Sequence, residues 1–161
     1  MFKVVEKTRD AGPVGGYLEL PFHMRQRSRL KTQLVDGREV ILQLPRGGIL
    51  RNGDRLVCED GFIVEVRAAA EPISTVYATD PYLLARACYH LGNRHVAVQI
   101  GEGWLRFAND HVLRDMVRGL GLQVTEMTAP FNPESGAYGH GHTHGGATSA
   151  EAKLHLFRGV A

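Results

Sequence analysis

This chain lacks the features that would place it in a membrane, a secretory compartment or a nucleic-acid complex. No apolar run approaches the roughly 20 residues that a membrane span needs. The start, Met1 to Lys7, has neither a long apolar core nor a cleavage pattern. The net charge of +2 is too small to indicate binding to nucleic acid or to a membrane surface. We therefore predict a folded cytoplasmic protein.

Cysteine is scarce, and common catalytic motifs are missing. Cys58 and Cys88 form no C-x-x-C pair, so we expect small buried side chains rather than metal ligands or a disulfide. The chain has no H-E-x-x-H, no G-x-S-x-G and no phosphate-binding G-x-x-x-x-G-K. We predict that the protein is not an enzyme.

The most distinctive residues are three histidines near the C-terminus. His140, His142 and His144 lie within five residues, and glycines bound them on both sides. Imidazole is a frequent ligand of nickel, zinc and copper, and glycine allows neighbouring rings to bend toward one ion. The tract is typical of metal binding, and the alternative is an inert polar tail.

Residues 1–70 predict an all-β domain. Asp-Gly pairs mark tight turns, because glycine supplies the positive φ that such turns need. Two turns of this kind, Asp36-Gly37 and Asp60-Gly61, separate short apolar segments. The predicted strands around them are Leu30–Val35, Glu39–Leu44, Arg55–Glu59 and Phe62–Arg67.

Four cations alternate along a segment that reads as extended: Arg25, Arg27, Arg29 and Lys31. Alternation places them on one side of a strand. The pattern favours a solvated edge that discourages strand pairing. A docking surface for an acidic partner is the alternative.

Residues 71–138 show a helical pattern that occurs twice. The first predicted helix has Asp80 as its cap and Gly92 as its end, and the second has Asn109 and Gly121 in those places. The resulting β-α-β-β-α-β order predicts a ferredoxin-like domain, and the predicted fold class of the whole chain is therefore α+β. We expect residues 139–161 to form a flexible tail. The strands are predicted at Ile73–Ala78, His95–Ile100, Glu102–Phe107 and Val124–Ala129.

Two further histidines lie within the repeat. We expect His95 to open a strand and to face the side of the sheet that the helices leave open. A twofold axis there would bring two copies of His95 together as a half-filled metal site; the alternative is a lone structural histidine. His111 lies in the first turn of the second helix, whose positive end favours a neutral, metal-competent imidazole; the alternative is a solvent-facing side chain without a role.

Six segments spread over nearly the whole chain form a recognisable set: Arg27–Arg29, Leu44–Gly47, Leu50–Asp54, Tyr89–His95, Asp110–Met116 and Pro130–Gly139. In this order they resemble the signature of the urease accessory protein E (UreE) family. The resemblance implies a homodimeric nickel metallochaperone that helps to activate urease.

The same resemblance implies an N-terminal domain similar to the peptide-binding domain of Hsp40-type chaperones. It implies that His95 binds Ni²⁺ together with its symmetry mate, and that the tail histidines, with His155, complete or feed this site. The implied partners are the urease accessory GTPase UreG and the urease activation complex. Zn²⁺ or Cu²⁺ is expected to substitute in vitro, since copper often binds such ligands more tightly than nickel.

Two departures from the family pattern narrow these expectations. The tail holds only three clustered histidines plus His155, which argues against high-capacity nickel storage. Asn109 occupies the position where some members carry a second histidine near His111. Two other functions stay open at this point. One is a divalent-metal buffer or sensor without delivery, and the other is a peptide-binding scaffold.

Overall fold

The computed structural model describes residues 1–9 and 12–135. Within them the chain is α+β and forms two domains, each built on one β-sheet. The chain passes from the first sheet to the second between Ala68 and Ala70. The predicted domain limits at residues 70 and 138 stay predictions, as does the likeness of the first domain to Hsp40-type domains.

The first sheet has six strands in the order β2-β6-β5-β1-β4-β3. Both predicted Asp-Gly hairpins are confirmed, since β3 pairs antiparallel with β4 and β5 with β6. Gly37 and Gly61 have φ values of +86° and +83°, which the tight turns require. The elements are β1 (Phe2–Thr8), β2 (Gly16–Leu20), α1 (Phe22–Arg25), β3 (Arg29–Gln33), β4 (Glu39–Gln43), β5 (Arg55–Cys58) and β6 (Ile63–Ala68).

The predicted stripe of four solvated cations is wrong at Arg25. This residue ends the short helix α1 and is fully buried. Its guanidinium donates to the carbonyl oxygens of Leu20 and Leu50 at 3.1 and 3.0 Å. The extended pattern starts only at Arg29, because Pro21 begins a helical turn before it.

The second sheet has four strands in the order β10-β7-β9-β8, with every neighbouring pair antiparallel. Two helices join the strands in the predicted order of strand, helix, strand, strand, helix, strand. The assignment to the ferredoxin-like fold stays a prediction. The elements are β7 (Ala70–Tyr77), α2 (Pro81–Asn93), β8 (Val98–Gly101), β9 (Trp104–Ala108), α3 (His111–Gly119) and β10 (Val124–Pro130).

The caps of the two helices agree only partly with prediction. Asp80 caps α2 as expected, accepting from the N–H of Tyr82 at 2.8 Å. The cap of α3 is Asp110, which accepts from the N–H of Leu113 at 3.0 Å, and not Asn109. The Asn109 side chain is used elsewhere, because it accepts from Arg114 and donates to Glu126.

The helices pack on one face of the second sheet through a buried apolar cluster. Leu105 and Phe107 of β9 meet Leu91 of α2 and Val117 of α3, and all four are fully buried. This packing holds the C-terminal end of α2 against the sheet and so positions the turn that follows it. None of the helices in residues 1–9 and 12–135 is long and apolar enough to cross a membrane.

Candidate metal site

His95 occupies the turn that ends α2. Three backbone bonds close this turn: Arg94 N–H and Val96 N–H donate to the Leu91 carbonyl, and His95 N–H donates to Gly92 at 2.9 Å. Two of the three, from His95 N–H to the Gly92 carbonyl and from Val96 N–H to the Leu91 carbonyl, form a Schellman motif. In this motif the residue after the cap takes the left-handed conformation, which usually selects glycine. In this chain that residue is His95, with φ +55°.

Among the described residues, His95 is the only one other than glycine with a positive φ. Left-handed backbone costs an L-residue roughly 1–2 kcal/mol. Such strain concentrates at functional positions, where a particular side chain is needed in a place that glycine would occupy more easily. The geometry therefore separates His95 from an ordinary surface histidine.

The predicted strand position of His95 is wrong. Strand β8 starts at Val98, and His95 lies in the turn before it. The predicted end of α2 at Gly92 is also wrong. The helix continues to Asn93, Arg94 is its cap, and the left-handed residue is His95. The Schellman bonds to Leu91 and Gly92 hold His95 and Val96 in this turn, although the sequence pattern assigned both residues to a strand.

The His95 side chain is exposed, and its sequence neighbourhood is cationic. The exposed Arg94 precedes it, and the sequence from Pro81 to Gly101 contains no acidic residue. Two large apolar side chains nearby in the sequence are also exposed, Tyr89 by 65 % and Ile100 by 51 %. A dication at His95 would gain no carboxylate ligand from this part of the chain.

The face of the sheet opposite the helices is not bare, contrary to expectation. Ile73 and Thr75 point to that face and are fully buried. At β8, the Gln99 side chain accepts a hydrogen bond from the backbone N–H of Asn132 at 2.9 Å. The chain after β10 therefore contacts this side of the sheet, which the sequence pattern left open.

We call this stretch, Phe131–Ser135, the anchor segment. It leaves β10 at one edge of the sheet and reaches β8 at the other edge, where Glu134 N–H donates to the Val98 carbonyl at 2.8 Å. The crossing spans three strand spacings, or about 14 Å. The anchor segment therefore ends beside the start of β8, and Val98, the first residue of β8, follows His95 by three positions in the sequence.

Two arginines of the first domain hold the anchor segment. Arg25 donates to the Phe131 carbonyl and, at 3.2 Å, to the Asn132 side chain. Arg51 donates to the Pro133 carbonyl and to the Ser135 hydroxyl. These contacts could not be predicted from the sequence, because arginines that bind carbonyl groups more than 80 positions away leave no periodic signal.

His111 is the first residue of α3, and its side chain is exposed. The antiparallel strands and alternating helices place the start of α3 at the same end of the sheet as the end of α2, where His95 lies. The described part of the chain contains no group of three or more His, Cys, Asp or Glu side chains that could hold a metal ion. His140, His142, His144 and His155 lie outside the described residues.

The two thiols are not placed for metal binding. Cys58 lies in the core of the first domain, and burial, aided by the nearby Asp60 carboxylate, raises its pKa to about 11. Burial also raises the pKa of the half-buried Cys88. Both shifts favour the protonated thiol, which is a poor metal ligand.

A groove lies at the opposite end of α2 from His95. It is formed by the start of α2, the turn between β8 and β9, and the chain after α3. Neither histidine nor cysteine lines it. A helix of 13 residues separates the two places by about 20 Å, so this groove takes no part in a site at His95.

Comparison with known families gives matches over most of the chain. Residues 4–69 match the model of the UreE urease accessory protein N-terminal domain, and residues 71–156 match that of the C-terminal domain. A urease accessory protein UreE of Alkalilimnicola ehrlichii is 56 % identical over 86 % of this chain and 85 % of its own length. One from Citrobacter koseri is 51 % identical over 91 % of this chain and 99 % of its own length.

Proposed function

This chain belongs to the UreE family of urease accessory proteins, and we propose that it is a nickel metallochaperone whose fixed ligand is His95. Membership implies a part in urease maturation. Nickel is then the cargo, which the protein takes up and gives away, and the protein itself catalyses no reaction.

The left-handed backbone of His95 is the observation that carries this proposal. The turn at the end of α2 would form at lower cost with glycine, yet it presents an exposed imidazole. The helix and the three hydrogen bonds that close its last turn fix the backbone of His95, from which the imidazole extends. A ligand on such a support has a defined position before the metal arrives.

The tail histidines are within reach of His95. Glu134 is bound at Val98, which is three residues from His95 and so lies within about 11 Å of it. His140 follows Glu134 by six residues, which extend to about 20 Å at most. We propose that one or more of His140, His142, His144 and His155 join His95 on the ion.

A second copy of the chain would supply a second His95. We propose that two chains associate around the exposed Tyr89 and Ile100, which lie in the elements on either side of His95. In a twofold interface each patch meets its own copy, so the two imidazoles approach each other. The resulting homodimer leaves His111 as a peripheral, weaker ligand.

The chemistry of the site suits handover to a partner. Imidazole is a borderline ligand that accepts Ni²⁺, Zn²⁺ and Cu²⁺, and the cationic Arg94 beside it opposes very tight binding of a dication. We expect Zn²⁺ or Cu²⁺ to compete in vitro. We propose that the receiving partner is the accessory GTPase UreG within the cytoplasmic urease activation complex. We also propose that the second domain, which holds His95, is ferredoxin-like.

Activation of urease distinguishes delivery from buffering. Nickel-loaded protein is added to urease apoprotein with its other accessory proteins, in the presence of a chelator that removes free nickel. Delivery predicts more active urease than the same total nickel gives without the protein. A metal buffer would yield no more activity than free nickel, and that outcome would contradict the chaperone function.

A further inference from the structure

The face of the second sheet opposite the helices is covered at one end and accessible at the other. The anchor segment crosses it at Gln99, and Ile73 on the same face is fully buried. At the end of β7, by contrast, Tyr77 is 57 % exposed. Trp104 of β9 lies directly opposite Tyr77, and Gly101 of β8 lies opposite Trp104. Side chains paired in this way share one face of a sheet, so Tyr77 and Trp104 form its accessible end.

Gly101 provides the space that the Trp104 indole occupies. A Cβ atom at position 101 would come within 2.1 Å of the Trp104 ring, so no other residue type fits beneath it. The indole is therefore held against β8, and it is half-buried. Large aromatic side chains held at a surface in this way are enriched in protein–protein interfaces.

Arg106 extends over the same ring. It follows Trp104 by two residues in β9, so both side chains lie on one face. The guanidinium carbon of Arg106 is 4.5 Å from the centroid of the Trp104 ring, which is a cation–π contact. An arginine held over a ring presents a planar group of N–H donors whose position is already set. Such a group matches the two oxygens of a carboxylate.

Arg106 lacks the acceptor that its donors require. It is half-buried, its Nε–H is buried without a partner, and it forms no ion pair within the part of the chain that the structure describes. Arg51 and Arg114 are also half-buried, yet both have acceptors for their terminal nitrogens. Buried donors without acceptors are rare in folded proteins. A cation partly removed from water also attracts a carboxylate more strongly than an exposed one.

The acidic residues nearest to Arg106 in the sequence do not neutralise it. Asp110 caps α3, and Glu102 is exposed in the turn before β9. The surface around Trp104 therefore offers an unpaired cation beside two aromatic rings, and a carboxylate from another molecule is its complement in charge.

We propose that Tyr77, Trp104 and Arg106, which we call the distal patch, bind a partner protein through a carboxylate side chain that has an aromatic or apolar neighbour. The carboxylate pairs with the terminal N–H groups of Arg106, and the neighbour packs on the exposed ring of Tyr77. Tyr77 precedes α2 and His95 follows it, so a helix of 13 residues, or about 20 Å, separates the distal patch from the proposed nickel ligand. The distal patch does not depend on the nickel site.

The test uses the fluorescence of Trp104, the single tryptophan of the full-length chain. The probe is the peptide acetyl-Phe-Gly-Asp-Gly-Phe-amide, whose aspartate is its only charge. Its phenylalanines lie two residues from the aspartate, which is the spacing of Trp104 and Arg106 along β9. We expect a saturable change in Trp104 emission, with a dissociation constant of about 1 mM or less. The same peptide with asparagine in place of aspartate should bind about tenfold more weakly, because it loses the charge-assisted hydrogen bonds to Arg106.

Variants of the protein separate the two parts of the distal patch. Arg106→Gln should weaken the aspartate peptide about tenfold and leave the asparagine peptide nearly unchanged, and circular dichroism checks that the variant is folded. Arg106→Lys keeps the charge without the planar pair of donors, so we expect an intermediate loss. Tyr77→Ala removes only the apolar contact and should weaken both peptides alike.

Arg86→Gln is the matched control for the loss of one positive charge. Arg86 is an exposed arginine of α2 whose guanidinium carbon lies 5.9 Å from the centroid of the Tyr82 ring. It therefore resembles Arg106 in charge and in ring contact but not in burial. We expect its replacement to change the affinity for either peptide by less than about twofold.

Three results of the titrations would overturn the proposal. They are no saturable change with the aspartate peptide up to about 10 mM, equal affinity for the two peptides, and equal losses in Arg106→Gln and Arg86→Gln. Analytical ultracentrifugation adds a fourth, because a shift of the protein toward the monomer in Arg106→Gln would assign the distal patch to a second copy of the chain. A protein that binds no nickel would contradict the proposed function and leave these results unaffected.

Discussion

The backbone N–H of Val96 donates to the carbonyl oxygen of Leu91 at 3.1 Å, and this bond encloses His95 in the turn that ends α2. Val96 and Leu91 also pack in the same apolar cluster. The turn is thus held by both a hydrogen bond and a hydrophobic contact, as Schellman motifs usually are. These two interactions hold His95, the proposed metal ligand, in the left-handed conformation. Replacing His95 by glycine should therefore raise the stability of the folded protein and weaken its binding of nickel.

Replacing His95 by glycine should stabilise the folded protein while it removes the ligand. Glycine relieves the left-handed strain of roughly 1–2 kcal/mol but gains freedom in the unfolded chain, which leaves a net increase of about 0.5–1 kcal/mol in the free energy of unfolding. Urea denaturation monitored by circular dichroism measures this quantity. His95→Ala is the matched control, because it removes the imidazole and keeps the strain. A glycine variant no more stable than the alanine variant would contradict the strained geometry.

Asp110 should stabilise α3 through its cap. Asp110→Ala leaves the N–H of Leu113 without its acceptor, at an expected cost of about 1 kcal/mol in the free energy of unfolding. Asp110→Ser keeps an oxygen that can accept this bond and should lose much less. Chemical denaturation of the two variants makes the comparison. An equal loss in both would mean that Asp110 acts by another route, such as its charge near the helix start.

The local features of the fold could be predicted well from the sequence. The hairpins around Gly37 and Gly61 and the cap at Asp80 depend on residues a few positions apart, and all three are confirmed. The predicted end of α2 at Gly92 was wrong, although glycine is the usual signal for a helix end. In the structure the Schellman bonds place His95, and not Gly92, in the left-handed position after the helix. A pattern of residue types cannot show that a histidine takes a conformation that glycine would take more easily.

Long-range contacts account for the other errors. Arg25 belonged to an apparent stripe of surface cations, yet its partners include Phe131 and Asn132, more than 100 positions away. The sheet face opposite the helices was expected to be open, because alternation along a strand describes which side a residue faces and not what covers it. The assignment of His95 as a metal ligand stays a prediction, and its predicted place on a strand was wrong, because His95 lies in the turn before β8.

Arg25 should be important for the stability of the whole chain. Arg25→Ala leaves the carbonyl groups of Leu20 and Leu50 without their donor and opens a cavity, so we expect a loss of about 3 kcal/mol or more. Thermal unfolding of Arg25→Ala and Arg29→Ala tests this expectation, since Arg29 is an exposed arginine of β3. Similar midpoints for the two variants would show that the buried contacts contribute little.

The thiols should be inert and dispensable for metal binding. With its pKa raised to about 11, Cys58 has roughly one part in a thousand as thiolate at pH 8. A thiol reagent should therefore label the native protein far more slowly than the protein in denaturant, and the Cys58→Ala/Cys88→Ala variant should bind nickel with unchanged affinity. Loss of nickel binding in that variant would assign a ligand to sulfur.

The raised pKa of Cys58 also gives a pH dependence with a definite sign. The folded state holds the thiol proton more tightly than the unfolded state, so its contribution to stability is complete below the ordinary thiol pKa. That contribution is lost as the pH rises toward about 11. The free energy of unfolding should fall more steeply over this alkaline range in the natural protein than in Cys58→Ala. Parallel slopes would contradict the raised value.

Calorimetric titration of Ni²⁺ into the full-length protein and its His95→Asn variant tests the central claim most directly. Asparagine tolerates the left-handed conformation, so the variant keeps the turn while losing the imidazole, and His23→Asn removes an exposed histidine of α1 in the first domain as a control. We predict that His95→Asn weakens nickel binding at least tenfold or lowers its stoichiometry, whereas His23→Asn changes it by less than twofold. Unchanged affinity and stoichiometry in His95→Asn would contradict the assignment of His95 as the fixed ligand.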